Sequence, residues 1–197
     1  MIATATAARV LSVIGHPALV MPAAVTVTVV NQGATAPAVM VSASATIAVA
    51  LTIAVYSLLQ VRAGRWSHVD ASAPQERLHL NAFLACLLLA VSGLQWAMAR
   101  PLPLVLGLAL SSAIVFAAMA MRRWLKVSLH CAFGSYAALL VWPDLPALAA
   151  LVALVLGVAW SRLELRRHTA VEILTGLALG VLAGVALHVV GAVASIT

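Results

Sequence analysis

Seven residues of this 197-residue chain have types and spacings that suit work on a phosphate ester. Ser161 and Arg162 stand seven and six residues before His168, and Glu172 stands four after it, so His168 and Glu172 share one face of a helix start. A carboxylate at that place can accept a hydrogen bond from one imidazole nitrogen. That fixes the tautomer and leaves the other nitrogen as a base or nucleophile. Arg162 offers a forked donor that fits phosphate oxygens, and the open N–H groups of a helix N-terminus attract anions. A second set, KVSLH, supplies Lys126, Ser128 and His130. A lysine and a hydroxyl can hold an oxyanion, and a second histidine can protonate a leaving oxygen. The combination suits phosphoryl transfer through a phosphohistidine. One imidazole attacks phosphorus, the other protonates the leaving alkoxide and then activates water, and the cations hold the equatorial oxygens. Neither a metal nor another cofactor is required by this arrangement.

The elements that must position these residues are membrane helices. Hydrophobic residues make up 64% of the chain and charged ones 8%, with a mean hydropathy of +1.13; soluble domains are only about 45–50% apolar. A span takes roughly 20 apolar residues, and backbone groups in lipid must be satisfied within the segment, so the spans are helices. The fold expected is an all-α polytopic transmembrane bundle of six to seven spans forming a single integral membrane domain. The spans are read at about Arg9–Val30, Ala38–Gln60, Leu80–Met98, Leu102–Met121, Val127–Val141, Leu145–Trp160 and Thr169–Ala194, with Gly15-His16-Pro17 as a break or kink in the first. Trp66, Trp96, Trp124, Trp142 and Trp160 all fall at span ends or in end loops, where tryptophan meets the membrane interface.

Following the chain through the bilayer brings the segments 61–77, 122–130 and 161–172 to one face. Ten of the eleven Lys and Arg residues fall on it, with Arg100 alone opposite. The net charge of +6 therefore reads as span-end charge and not as nucleic-acid binding. Arg122, Arg123, Arg166 and Arg167 read as orientation signals and headgroup contacts, and His16, His68 and His79 as interfacial. Cys86 and Cys131 lie in apolar runs and offer no disulfide framework. Only Arg9 precedes the first long apolar stretch, which argues against a cleaved signal peptide. In the last span, Gly176, Gly180 and Gly184 form a GxxxGxxxG packing face ahead of His188. His188 accordingly reads as a packed, hydrogen-bonded histidine, and the small-residue faces could also pair copies of the chain in a homo-oligomer. Glu164 has no evident role.

SRLELRRH followed by TAVE resembles the third signature of the type 2 phosphatidic acid phosphatase superfamily: Ser-Arg, five residues, His, three residues and an acid, here Glu172. VSLH (127–130) is similar to the second signature, Pro-Ser-Gly-His; it keeps Ser128 and His130 and has Val127 and Leu129 at the other two places, as in a variant prokaryotic branch. The first signature, Lys, six residues, then Arg-Pro, is absent, and the loop GRWSHVDASAPQER (64–77) looks like its substitute. The resemblance spans roughly residues 60–185. It implies His168 as nucleophile, Glu172 as its orienting acid and His130 as general acid. It further implies Arg162, Ser128, Lys126 and Ser161, with Arg65 and Arg77, as phosphate binders.

The expected function is thus a metal-independent integral membrane phosphatase acting on a lipid phosphomonoester or pyrophosphate, of polyprenyl or diacylglycerol type, with the bilayer as its setting. The alternatives are a non-enzymatic haem protein using His130, His168 or His188, or an anion or lipid transporter. The three histidines do not pair at matching depth for haem, and the four carboxylates of the charged face, Asp70, Glu76, Glu164 and Glu172, form no cluster in sequence for a hard metal. The site is expected at the cell membrane, and the positive-inside rule places its face in the cytoplasm.

Overall fold

The computed structural model describes residues 2–71 and 73–194. Among them are eight α-helices: α1 (Ile2–Ile14), α2 (Pro17–Asn31), α3 (Ala36–Arg62), α4 (Pro74–Ala97), α5 (Leu102–Ala120), α6 (Leu129–Leu140), α7 (Leu145–Glu164) and α8 (Ala170–Ala194). The chain is an all-helical membrane protein, as its composition demands. Five helices are long and apolar enough to cross a bilayer, and α1 with α2 makes a sixth span if the bent pair counts as one. Proline in the first turn starts α2, α3, α4, α5 and α7. There the missing N–H is one the helix could not have used.

Two departures from the expected spans matter for function. The first span is not continuous: α1 and α2 meet at 49°, and the break falls at Gly15 and His16. A Cβ on Gly15 would collide with the Val158 side chain, so α1 lies directly on α7. The segment read as a fifth span is α6, twelve residues long, or about 18 Å at 1.5 Å per residue. That is well short of a hydrocarbon core of about 30 Å. Nine of its residues are buried, and it packs between α2, α7 and α8. It is an internal post enclosed by longer helices.

Apolar packing and hydroxyl–carbonyl bonds hold this post. Thr28 Oγ1 donates to the Leu140 carbonyl at 2.8 Å, Ser135 Oγ to Leu177 at 3.0 Å and the buried Tyr136 hydroxyl to Gly107 at 3.1 Å. Such side-chain bonds tie helices together where lipid offers no partner. The glycine face of α8 closes on α6. A Cβ at Gly176 would sit 2.5 Å from the Ser128 carbonyl oxygen, and one at Gly180 would collide with the Ala132 carbonyl and the Ser135 hydroxyl. The face expected to pair copies of the chain is therefore filled by α6 of the same chain, because only glycine lets the two backbones approach so closely. His188 donates Nε2–H to the Leu139 carbonyl at 2.8 Å, a packed, hydrogen-bonded histidine.

Four of the tryptophans, Trp96, Trp124, Trp142 and Trp160, present exposed rings at helix ends, whereas Trp66 is buried. Its indole meets Tyr56 edge to face at 5.4 Å. Glu76 accepts the backbone N–H groups of Ser67 and Ala73 at 2.9 and 3.0 Å. Together these contacts fold the α3–α4 loop back over the bundle end.

Candidate active site

The five-residue gap between Arg162 and His168 is a helix-terminating turn. The N–H of Arg166 bonds the Leu163 carbonyl at 2.9 Å and that of Arg167 bonds the Arg162 carbonyl at 3.0 Å, the paired bonds of a Schellman motif. Arg166 takes the left-handed backbone at φ 51°, which costs a residue with a Cβ about 1–2 kcal/mol. The chain turns back so that the His168 N–H reaches the Arg162 carbonyl at 3.3 Å.

The next four residues start α8. The Thr169 N–H donates to Glu172 Oε2 at 3.0 Å, and the Glu172 N–H donates to Thr169 Oγ1 at 3.4 Å, a reciprocal capping arrangement. Glu172 Oε1 accepts the Lys126 N–H at 3.2 Å, and the Glu172 carbonyl accepts the Ser128 N–H at 3.2 Å. One residue thus caps its own helix and fastens the α5–α6 connection to it.

His168 Nδ1 lies 3.0 Å from the Lys126 carbonyl oxygen and 3.1 Å from Glu172 Oε2. A carbonyl can only accept, so Nδ1 carries the hydrogen and Nε2 keeps the lone pair. Burial and then the Lys126 cation push the His168 pKa below its ordinary value, against the opposing pull of Glu172. The ring is held neutral, with Nε2 as its nucleophilic atom. Lys126 Nζ donates to the Arg167 carbonyl at 2.9 Å. Partial burial, followed by the nearby Arg77 charge, lowers the Lys126 pKa in turn.

These groups open on a cavity of about 1100 Å³. Its charged end is lined by Arg77, Arg122, Arg123, Lys126, Arg162, Arg166 and Arg167 with Asp70 as the one carboxylate, and by His16, His130 and His168. Its other walls are mainly apolar, with Met21 and Pro22 of α2, Val49 and Ile53 of α3, Leu84 and Leu88 of α4, Leu108 of α5 and Phe133 of α6, and Thr46, Ser57, Asn81 and Ser111 set among them. From Pro74 to Leu88, α4 alone follows it for about 21 Å at 1.5 Å per residue.

Arg162 is 4% exposed. Among the described residues its guanidinium forms no salt bridge, and its Nε is buried without a hydrogen-bond partner. A buried cation without a paired carboxylate is costly; Asp70 acts on it only at a distance and pairs with Arg167 instead, and an anion in the cavity it borders would supply a direct partner. The first turn of α6 opens beside it. Ser128 is the N-cap of α6 but makes no side-chain capping bond, so its hydroxyl does not satisfy the N–H groups of that turn.

Among the residues singled out in the sequence, His168, His130, Arg162, Lys126 and Arg77 line this cavity, with Glu172 directly behind His168. Three others stand apart. Ser161 is fully buried and donates to the Ala8 carbonyl at 2.6 Å, so it fastens α1 to α7. Ser128 does not line the cavity; its buried hydroxyl lies near the Cys131 thiol and has no hydrogen-bond partner among the described residues. Arg65 lines a separate surface cleft with Tyr56, Trp66 and His79. Two further residues are in the wall: His16, whose sequence position reads as interfacial, and Asp70 of the polar loop. His16 meets His130 edge to face with ring centroids 4.9 Å apart, and Asp70 pairs with Arg167 at 3.5 Å. The helix break at Gly15-His16-Pro17 was the signal for His16, since a break frees a polar side chain to face inward. Comparison of the chain with protein-family models, curated proteins and solved structures finds no match.

Proposed function

We propose that the protein is a membrane phosphatase that hydrolyses a lipid phosphomonoester or diphosphate through a phosphohistidine at His168. The observation that carries this reading is Arg162: a buried guanidinium without a salt bridge among the described residues, at a cavity where His168 presents a neutral imidazole with Nδ1 tied down. The resemblance of SRLELRRHTAVE and VSLH to phosphatase signatures supports it independently. The shape of the cavity supports a lipid substrate, because a cationic end that continues into apolar walls suits a phosphate joined to a hydrocarbon chain.

In this scheme Nε2 of His168 attacks phosphorus, the Nε2–P bond forms and the P–O bond to the lipid breaks. Burial, then the neighbouring Arg162 charge, favours neutral His130 in the free protein; in this scheme it takes up a proton with the phosphate anion beside it and gives that proton to the leaving oxygen. Now neutral, His130 takes a proton from water as that water attacks phosphorus. The Nε2–P bond breaks, releasing inorganic phosphate and restoring His168. Arg162, Lys126 and Arg77 balance the charge that spreads over the equatorial oxygens.

The positive-inside rule places this face in the cytoplasm and the C-terminus, at the other end of α8, outside it; a C-terminal reporter read out in the cytoplasm would refute that placement. The function itself is tested by phosphate release from a panel of diacylglycerol and polyprenyl phosphates in detergent. Release by the wild type in the presence of EDTA, and none by a folded His168→Ala variant, is expected. Undiminished release by that variant overturns the mechanism.

A further inference from the structure

The site holds a third imidazole that neither signature includes. His16 occupies the break between α1 and α2, and its Nδ1 accepts the Ala18 N–H at 3.2 Å, capping α2. That bond uses the Nδ1 lone pair, so in the neutral ring the hydrogen sits on Nε2. The ring is fixed on both sides: Gly15 abuts Val158 of α7, and Pro17 fixes the start of α2. It lines the cavity and stands at 88° to His130, with centroids 4.9 Å apart. His130 makes no side-chain hydrogen bond among the described residues, and the edge-to-face contact with His16 is the directional contact it does make.

We infer that His16 is a positioning residue for His130, holding the general-acid imidazole in its working orientation by edge-to-face contact. The inference rests on the phosphatase reading. Other charged and titratable groups face the pair from each neighbouring element: Arg162 from α7, Arg167 and His168 from the α7–α8 turn, and Asp70 from the α3–α4 loop. None of them hydrogen-bonds the His130 ring among the described residues. Small displacements of a reacting group can cost about a hundredfold in rate, so the loss of this contact is measurable.

Two substitutions separate positioning from capping. His16→Asn keeps a good N-cap and removes the ring; His16→Phe keeps a ring and removes the cap. His16→Asn is expected to lower kcat about ten- to a hundredfold, leave KM within a few-fold and displace the alkaline limb of the pH–rate profile. His16→Phe is expected to recover a large part of kcat. Wild-type kinetics in His16→Asn, or an equal loss in both variants with an unmoved alkaline limb, overturns the inference. Should the wild type release no phosphate from any lipid of the panel, the phosphatase reading fails by itself. Histidine 15N NMR of the same proteins then decides the contact: an identical His130 resonance and titration in wild type and His16→Asn overturns it, and a changed one supports it.

Discussion

Nδ1 of His168 lies 3.1 Å from Oε2 of Glu172, four residues further along the chain. The same nitrogen lies 3.0 Å from the Lys126 carbonyl oxygen, so two acceptors share one N–H. This sharing sets the size of the first prediction. If Glu172 alone fixed the tautomer, its loss would cost about 10⁴-fold, as when a catalytic imidazole is left in the wrong tautomer. With the Lys126 carbonyl still in place, Glu172→Gln should cost about tenfold in kcat. Glu172→Ala should cost more and also lower thermal stability by about 1 kcal/mol through the lost cap. Steady-state kinetics and thermal unfolding in detergent check both values; a 10⁴-fold loss in Glu172→Gln would show that the carbonyl holds nothing.

The pH profile follows from what acts on His168. The nucleophile must be neutral, and burial and Lys126 lower its pKa. Activity should therefore persist below the ordinary histidine value and fall only as the pH drops through the lowered one. Lys126→Met removes a lowering cause, so the acid limb should move to higher pH. Glu172→Gln removes a raising cause, so it should move to lower pH. The pH dependence of kcat/KM reads these limbs in the free enzyme; shifts of the same sign in both variants would detach the limb from His168.

Arg162 should show opposite effects on stability and on catalysis. Its buried guanidinium forms no salt bridge among the described residues, and replacing a buried charge that lacks a paired carboxylate by an apolar side chain relieves a penalty. Arg162→Met should unfold at a higher temperature than wild type in phosphate-free buffer, while kcat/KM falls by at least the 10- to 100-fold that one charge-assisted bond of about 1.5–3 kcal/mol supplies. Arg162→Lys should also lose activity, because a point charge does not reproduce the fork. A destabilised Arg162→Met would mean that the protein already neutralises this cation.

Gly180 tests the α6–α8 contact that places Ser128, Leu129 and His130 next to His168. A Cβ there would collide with the Ala132 carbonyl and the Ser135 hydroxyl, whereas nothing lies within 4 Å of a Cβ on Gly191 in the same helix. Gly180→Ala should destabilise by about 1–3 kcal/mol and reduce activity. Gly191→Ala should be neutral or stabilising by up to about 1 kcal/mol. Thermal unfolding of the two variants makes the comparison, and equal midpoints would contradict the packing.

The residues legible in the sequence are those joined by local geometry. The link from His168 to Glu172 is one helical turn, and that from Arg162 to His168 is one Schellman turn, so periodicity and spacing bring each pair together without the rest of the protein. The membrane character of the chain is equally local, because an apolar run of spanning length satisfies its own backbone groups. The orientation of side chains at helix ends is different in kind. Ser161 and Arg162 are adjacent in sequence, yet the first turns to the Ala8 carbonyl and the second to the cavity. Only the seating of α1 on α7 separates them.

The sequence by itself determined a multi-helix membrane protein with its basic residues gathered toward one end and an imidazole–carboxylate pair at the start of the last helix. Tertiary structure decided that α6 is a short enclosed post, because glycines on α8 admit its backbone at van der Waals distance. It also decided that a break in the first span turns His16 onto His130, and that Arg65 and Ser161 stand away from the cavity. Each of these depends on which helix lies against which. That is a matter of shape between segments far apart in the chain, and hydropathy and spacing do not encode it.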